Sequence, residues 1–291
     1  MKVLLTGANG QLGRCVQDVF ARTDYELVAL DRAALDISDA EAVSSAVAKH
    51  KPQAIINAAA YTAVDKAEAE PELAAQINTV GPGNLARAAE EIGAVLIHIS
   101  TDYVFDGRKT SPYVETDATN PQGVYGRTKL AGEQEVQRTC SKHIIIRTAW
   151  VFSEYSNNFV KTMLRLGKQR KELNVVSDQV GCPTYAGGIA SACMGVLTSY
   201  QNSAVDFGIY HYCGGESMPW FDFSKIIFEV AVNEGALEKA PAVNKITTIE
   251  YPTPAERPMY SVMDSSRFAE NFSVYEAPLG ANLKTVINKI S

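Results

Sequence analysis

The sequence predicts an α/β fold: a doubly wound parallel sheet over residues 1–150, followed by a smaller C-terminal α/β part over 151–291. Three observations carry this. Short, continuously apolar runs alternate with amphipathic segments through the first half, as expected of strands covered on both faces and the helices that cover them. A glycine-rich turn joins the first apolar run to the first amphipathic segment. Finally, 46% hydrophobic and 21% charged residues in a chain of 291 supply enough apolar material for a substantial core. Strand, turn and helix in this order describe a Rossmann-like nucleotide-binding sheet.

Each element can be justified in turn. Val3, Leu4 and Leu5 form the first strand, and GQLGRCVQDVFA follows with Leu12, Val16, Val19 and Phe20 at helical spacing. Leu27, Val28, Ala29 and Leu30 make the second strand. DAEAVSSAVAKHK places Ala42, Val43, Ala46 and Val47 on one helical face, ahead of a third strand at Ala54, Ile55 and Ile56. VGPGNLARAAEEIG reads as a helix, VLIHI as a strand, residues 123–138 as a helix, and Ile144, Ile145 and Ile146 as a strand. Beyond residue 150 the alternation loosens. NNFVKTMLRLGKQ, YAGGIASACMGVLTSY, WFDFSKIIFEVAVNEG and LGANLKTVINKIS have helical character. Between them lie the short strands LNVVS and GIYHYC, and loops at Pro183, Pro219, Pro252, Pro254 and Pro258. The boundary at 150 is soft, with segments free to cross back to the main sheet.

Composition removes several function classes. A formal charge of −6 argues against a broad nucleic-acid surface, while leaving room for a local phosphate pocket. No apolar run approaches the length of a membrane span, and the apolar part of MKVLLTG is too short for a secretory signal. Cys15, Cys140, Cys182, Cys193 and Cys213 are odd in number and contain no C-x-x-C pair. They are read as reduced thiols of a cytoplasmic protein, with no disulfide framework and no metal site. His50, His98, His143 and His211 are scattered, without ligand spacing, and are read as structural.

In TGANGQLG, Gly7, Gly10 and Gly13 fall three apart between a strand and a helix. Such a turn brings backbone N–H groups and a helix N-terminus against a pyrophosphate, which only glycine permits at that distance. Asp31 ends the second strand, where a carboxylate accepts the adenosine ribose hydroxyls. Asp31 favours NADH, whereas Arg32 and Arg14 carry the charge to neutralise an extra 2′-phosphate. The reading leans to NADPH, with NADH accepted.

VYGRTKLAGE contains the only Tyr followed four residues later by Lys in the chain, Tyr125 and Lys129, on one face of a predicted helix. A phenol is a poor acid at neutral pH until a cation lowers its pKa, and the Lys129 ammonium one turn away is expected to do so and to hold the nicotinamide ribose. Thr101, at the end of the preceding strand, can share the bond to a reacting carbonyl oxygen. The set fits hydride transfer, with Tyr125 supplying the proton.

TGANGQLG, NAAAYTAVDKAE, HISTDYVFDG, VYGRTKLAGE, RTAWVF and DQVGCPTYA occur in this order, and with them the chain resembles the extended short-chain dehydrogenase/reductases over essentially its whole length. Within that family it is similar to the reductases of dTDP-linked 4-keto-6-deoxy sugars. The resemblance implies an oxidoreductase of carbohydrate biosynthesis that reduces the 4-keto group of a dTDP-6-deoxy-L-sugar. It puts Thr101, Tyr125 and Lys129 in the catalytic triad. Gly10, Gln11 and Leu12 would touch the cofactor phosphates, Asp31, Asp36 and Ile37 would frame the adenosine, and Ala60, Tyr61 and Thr62 would line the dinucleotide. Asp102, Tyr103 and Trp150 would contact the sugar, Arg257 would meet the diphosphate, and Val64 and Asp65 would help shape the site. One departure is visible: Pro121, Gln122 and Gly123 stand where the family reads P-L-N, which is expected to loosen the entry to the catalytic helix. Other nucleotide-sugar reductases or epimerases remain open as alternatives. So does a non-catalytic NADP-binding regulatory subunit resembling the β subunit of methionine adenosyltransferase, and so does the question of a homodimer.

Overall fold

The computed structural model describes residues 1–202 and 205–290, so Ser291 of the last predicted helix lies outside it. The chain runs β1 (Lys2–Thr6), α1 (Gln11–Phe20), β2 (Glu26–Leu30), α2 (Ala40–His50), β3 (Ala54–Asn57), α3 (Val64–Ala67) and α4 (Pro71–Ala75). A π turn at Gln76–Val80 leads into α5 (Gly81–Ile92), β4 (Val95–Thr101), α6 (Val124–Thr139) and β5 (His143–Thr148). The second half follows as β6 (Val151–Phe152), α7 (Phe159–Gln169), β7 (Glu172–Val176), β8 (Val180–Gly181), β9 (Thr184–Tyr185) and α8 (Ala186–Asn202). It ends with β10 (Gly208–His211), β11 (Met218–Pro219), α9 (Trp220–Asn233), β12 (Ala242–Ile246), α10 (Ser266–Phe272) and α11 (Leu279–Ile290).

Six parallel strands form the main sheet in the order β10-β5-β4-β3-β1-β2. Strand alternation divides the core into two layers. Val3, Leu5, Ile56, Ile97 and Ile146 face α1, α8 and α10, with Val16, Ile189 and Phe268 packed on them. Leu4, Ile55, Leu96 and Ile145 face the opposite way, onto Val43 and Val47 of α2, Leu85 of α5 and Val136 of α6. With both faces apolar, hydrophobic alternation alone cannot fix strand register. A polar row does so instead. Thr6 pairs across to Asn57 and Asn57 to His98, each fully or almost fully buried. The Thr6 hydroxyl donates to Asn57 Oδ1 (2.7 Å), and Asn57 Nδ2 lies 3.0 Å from His98 Nδ1. A one-residue slip would leave these groups unpaired at about 1–3 kcal/mol each.

The second half builds its own core from α7, α9 and α11 around Leu164, Phe223, Ile227 and Leu283, flanked by the parallel pair β7–β12. Three of its elements nevertheless return to the main sheet. β10 adds the sixth strand beside β5, and α8 and α10 cover the α1 face.

Candidate active site

From β1 the chain crosses outward to β2 and then returns to β3 on the other side, so the segments leaving the C-terminal ends of β1 and β3 part to opposite faces of the sheet. A groove of about 570 Å³ opens at this point, lined by Gly7, Gly10, Asp31, Asp36, Ile37, Ala60, Tyr61 and Thr62 among others. Gly7 has φ +70°, and a Cβ there would stand 2.6 Å from the Ala59 nitrogen; one on Gly13 would stand 2.2 Å from the Gly7 oxygen. The turn therefore closes only with glycine at both positions. The first i→i−4 bond at the start of α1 is donated by Arg14 N–H to the Gly10 oxygen at 3.0 Å. The N–H groups of Gln11, Leu12 and Gly13 precede that ladder at the positive end of the helix dipole. Backbone donors, a close-approach cradle and an adjoining groove fit a dinucleotide pyrophosphate.

The predicted cofactor residues divide into two groups. Gly7, Gly10, Asp31, Asp36, Ile37, Ala60, Tyr61 and Thr62 line the groove. Gln11, Leu12 and Gly13 do not, and offer backbone only. Leu12 is buried in the core, and the Gln11 amide oxygen accepts from Ser153 Oγ (3.0 Å) and Asn158 Nδ2 (2.9 Å). Asp31 accepts from Asn9 Nδ2 at 2.6 Å and from the Ala34 N–H at 3.0 Å. Hydrogen bonds from the Ser38 side chain and backbone hold Asp36 below the usual carboxylate range. Arg32 lines the same groove, whereas Arg14 is exposed on α1 away from it.

Thr101, the last residue of β4, meets Tyr125 of α6, and Lys129 follows one helical turn along α6. Thr101 Oγ1 donates to Asp102 Oδ1 (2.9 Å) and accepts the Tyr103 N–H (3.2 Å). Its hydroxyl is also hydrogen-bonded to the Tyr125 phenol. The Tyr125 ring packs edge-on against Tyr103, with centroids 5.4 Å apart. Here the sequence expectation needs correction. Burial pushes the Tyr125 phenol up, and the Thr101 hydrogen bond pulls only partly the other way. Lys129 does not depress it, because the amine is turned toward β4 and donates to the Ile99 oxygen at 2.7 Å, with His98 Nε2 at 3.5 Å. Burial lowers Lys129 itself to about 8, against the attraction of Glu133. Burial also raises Asp102 to about 6, opposed by hydrogen bonds from Ser261 and Thr101.

Around this centre, Trp150 has a left-handed backbone (φ +47°) two residues after β5. Such a conformation costs a bulky residue about 1–3 kcal/mol and persists only when the surroundings dictate it. Trp220 supplies the constraint by stacking on the Trp150 ring, with centroids 3.4 Å apart and planes 5° apart. Arg257 donates to Asp65 Oδ2 at 2.9 Å and is hydrogen-bonded to the Tyr103 hydroxyl, while Asp65 also accepts the Ala255 N–H. Asp65 is thereby the direct partner of the cation predicted for the diphosphate.

Two positioning groups escaped sequence reasoning. Glu68 Oε1 accepts the Val124 N–H at 2.7 Å, capping α6 from another helix, and a Cβ on Gly123 would stand 2.8 Å from that same oxygen. The Gly123 departure therefore does not loosen the start of α6; it makes room for a carboxylate that does the capping. The second group is Asn78, in the π turn. Its side chain accepts the Tyr61 N–H (2.8 Å), donates to the Tyr61 oxygen (3.1 Å) and reaches Thr128 Oγ1 on α6 (3.3 Å). It ties the groove wall to α6. Among the described residues, no group of three or more His, Cys, Asp or Glu side chains is placed to hold a metal ion.

A dinucleotide groove at the switch point, with a Thr–Tyr–Lys set on β4 and α6, defines an extended short-chain dehydrogenase/reductase site. The family described as RmlD substrate binding domain matches residues 1–291. The dTDP-4-dehydrorhamnose reductase of Aggregatibacter actinomycetemcomitans is 45% identical, covering 98% of each chain. That of Escherichia coli K12 is 42% identical over 100% of this chain and 98% of its own. A dTDP-4-dehydrorhamnose reductase structure from Clostridium acetobutylicum superposes with a TM-score of 0.92 at 41% identity, covering 99% of both chains. One from Bacillus anthracis, in complex with NADP, gives 0.91 at 37% identity with the same coverage. The UDP-glucose 4-epimerase of Thermus thermophilus, at 20% identity and a TM-score of 0.82 over 100% of this chain and 99% of its own, shares the fold. The chain belongs to the dTDP-4-dehydrorhamnose reductase family.

Proposed function

We infer that the chain catalyses NAD(P)H-dependent reduction of the 4-keto group of dTDP-4-dehydro-6-deoxy-L-mannose, giving dTDP-L-rhamnose. The observation that carries this reading is full-length similarity to reductases of that reaction, together with the meeting of Thr101 and Tyr125 at one end of β4, one helical turn from Lys129. NADPH is the reductant, in keeping with the NADP complex of the Bacillus relative. Arg32 offers the 2′-phosphate a positive charge, and Asp31 suits free ribose hydroxyls, so NADH is accepted as well.

Bound NADPH supplies the hydride. The protein supplies the rest. Gly7, Gly10 and the first N–H groups of α1 hold the pyrophosphate, and the segment 58–62 lines the dinucleotide. A Tyr125 phenol raised by burial is fully protonated at neutral pH, so it enters the reaction as an acid. It gives its proton to the substrate's 4-oxygen. Thr101 Oγ1, with its proton turned away to Tyr125 as the phenolate forms, stabilises the new charge, and Lys129 completes the set. Residues 151–291 serve the sugar nucleotide and residues 1–150 the dinucleotide, except that α8, β10 and α10 belong structurally to the main sheet. Asp102, Tyr103 and Trp150 shape the sugar site, and Arg257 exchanges Asp65 for the diphosphate. The five cysteines, all buried and unpaired, suit a reducing compartment such as the cytoplasm.

The test is the loss of reduced-nicotinamide absorbance when the dTDP-4-keto sugar is added. Wild type should consume cofactor, while Tyr125→Phe should retain under about a hundredth of the rate. Tight cofactor binding without oxidation by the wild type would overturn the reductase reading.

A further inference from the structure

His98 occupies the middle of β4, a strand otherwise built of apolar and hydroxyl residues, and it is completely buried. Nothing in the reaction derived above uses it, yet its two ring nitrogens face two different groups. Nδ1 lies 3.0 Å from Asn57 Nδ2, and Nε2 lies 3.5 Å from the Lys129 amine. Counting hydrogens fixes what each nitrogen carries. Asn57 Oδ1 accepts the Ala59 N–H (3.2 Å) and the Thr6 hydroxyl (2.7 Å). A backbone N–H can only donate, so the amide is oriented with its NH2 toward His98. Nδ1 is then the acceptor, and the proton of the neutral ring sits on Nε2, aimed at Lys129.

An N–H aimed at a primary amine has opposite consequences for its two charge states. The neutral amine has a lone pair to accept it; the ammonium has only hydrogens to set against it. At 3.5 Å the contact is long for a hydrogen bond, so what matters is its sign. The remaining groups around Lys129 do not reverse that sign. Glu133, on α6, attracts the ammonium, but its carboxylate is already held by Arg147 of β5 at 2.7 Å and by the Ser100 hydroxyl, and burial outweighs it. Asp102, Tyr103 and Tyr125 gather round Thr101 at the strand end, while the amine itself donates to the Ile99 oxygen.

We propose that His98, locked as the Nε2–H tautomer by Asn57, is a positioning residue that disfavours the charged form of Lys129 while the amine rests against β4. Proton uptake is thereby coupled to the swing of the amine away from the strand, toward the cleft and Tyr125. The proposal rests on the assignment of Lys129 to the reaction, but its test involves no turnover, so failure of one is distinguishable from failure of the other.

Protein labelled with 15N-histidine and 13Cε-lysine is titrated without cofactor or substrate, with the Lys129 resonance identified by its loss in Lys129→Met. His98 should show a protonated Nε2 and an unprotonated Nδ1 at every pH at which the protein is folded. Lys129 should titrate near 8, the value to which burial and its surroundings bring it. In His98→Leu the midpoint should rise by about one pH unit. His98→Gln, which presents an oxygen to Asn57 and an N–H to Lys129, should keep the wild-type midpoint. An Nδ1-protonated ring, or a Lys129 midpoint unchanged in His98→Leu, overturns the proposal, as does a Gln variant that titrates like the Leu variant. Should His98→Leu fail to fold, the wild-type tautomer and the Gln variant still decide the matter.

Discussion

At the scale of single residues, a buried carboxylate lies beside the Thr101–Tyr125 pair. Asp102 is 2% exposed and is raised to about 6. A carboxyl whose pKa is higher in the folded state binds more protons there than when unfolded, so stability falls as pH rises between the two values. For Asp102 that window runs from about 4 to about 6. Asp102→Asn removes the titration while keeping an oxygen to accept from Thr101. Unfolding of the two proteins in urea should show little change in their difference below pH 4. Between pH 4 and pH 7, Asn should gain about 2 kcal/mol on Asp. A difference that stays flat across that range would show that Asp102 is ionised in the fold without penalty. His98 teaches a related lesson. In sequence it is a lone histidine in an apolar strand, and only the register that brings Asn57 beside it gives its two nitrogens distinct roles.

At the scale of elements, α6 depends on a cap supplied by α3's C-terminal end. Glu68→Ala should cost about 1 kcal/mol by leaving the Val124 N–H unpaired, and it should slow turnover because Tyr125 follows immediately. Gly123→Asn gives the sharper test, because its sign depends on Glu68. Alone it should destabilise, since its Cβ would crowd the carboxylate; in the Glu68→Ala background it should stabilise, with Asn serving as the N-cap. Urea midpoints of the four proteins measure this directly, and additive effects would dismiss the account. The same helix shows where sequence reading stops. β1 to β5 and their covering helices were legible because their apolar periodicity is strong, and TGANGQLG because a turn against phosphate demands glycine. β12 escaped because AVNKI is mostly exposed and has no buried face to advertise, and α10 because SRFAENF is short, with only Phe268 and Phe272 buried. Glu68, Asn78 and the orientation of Lys129 escaped for another reason. Each is defined by a partner on a different element, and spacing along the chain carries no record of that.

At the scale of the whole molecule, Asp65 and Arg257 join α3 to the segment after β12. Both side chains are about one-third exposed, so the pair should contribute under about 1 kcal/mol to stability. Its effect on binding should be larger. Arg257→Met should raise KM for the sugar nucleotide by about 10- to 100-fold, as expected for one charge-assisted phosphate contact. Asp65→Asn should act in the opposite direction, lowering KM several-fold by releasing a guanidinium that otherwise must exchange partners. Steady-state kinetics that put both variants on the same side of wild type would exclude this competition.

Because β10 comes from the second half of the chain, the last strand of the main sheet is made well after its neighbour β5. Once β5 has left the ribosome, its outer edge, HIIIRT, is apolar and unpaired until residues 208–211 follow. At ordinary synthesis rates the intervening stretch takes roughly 3–12 s. Throughout that interval the nascent protein displays the kind of open strand edge onto which a neighbouring chain can add. α8, which shields the adjoining sheet face, is made within the same interval. The finished enzyme has no such edge at β5. Its vulnerability is therefore one of birth, and expression at high nascent-chain density is where it would be felt.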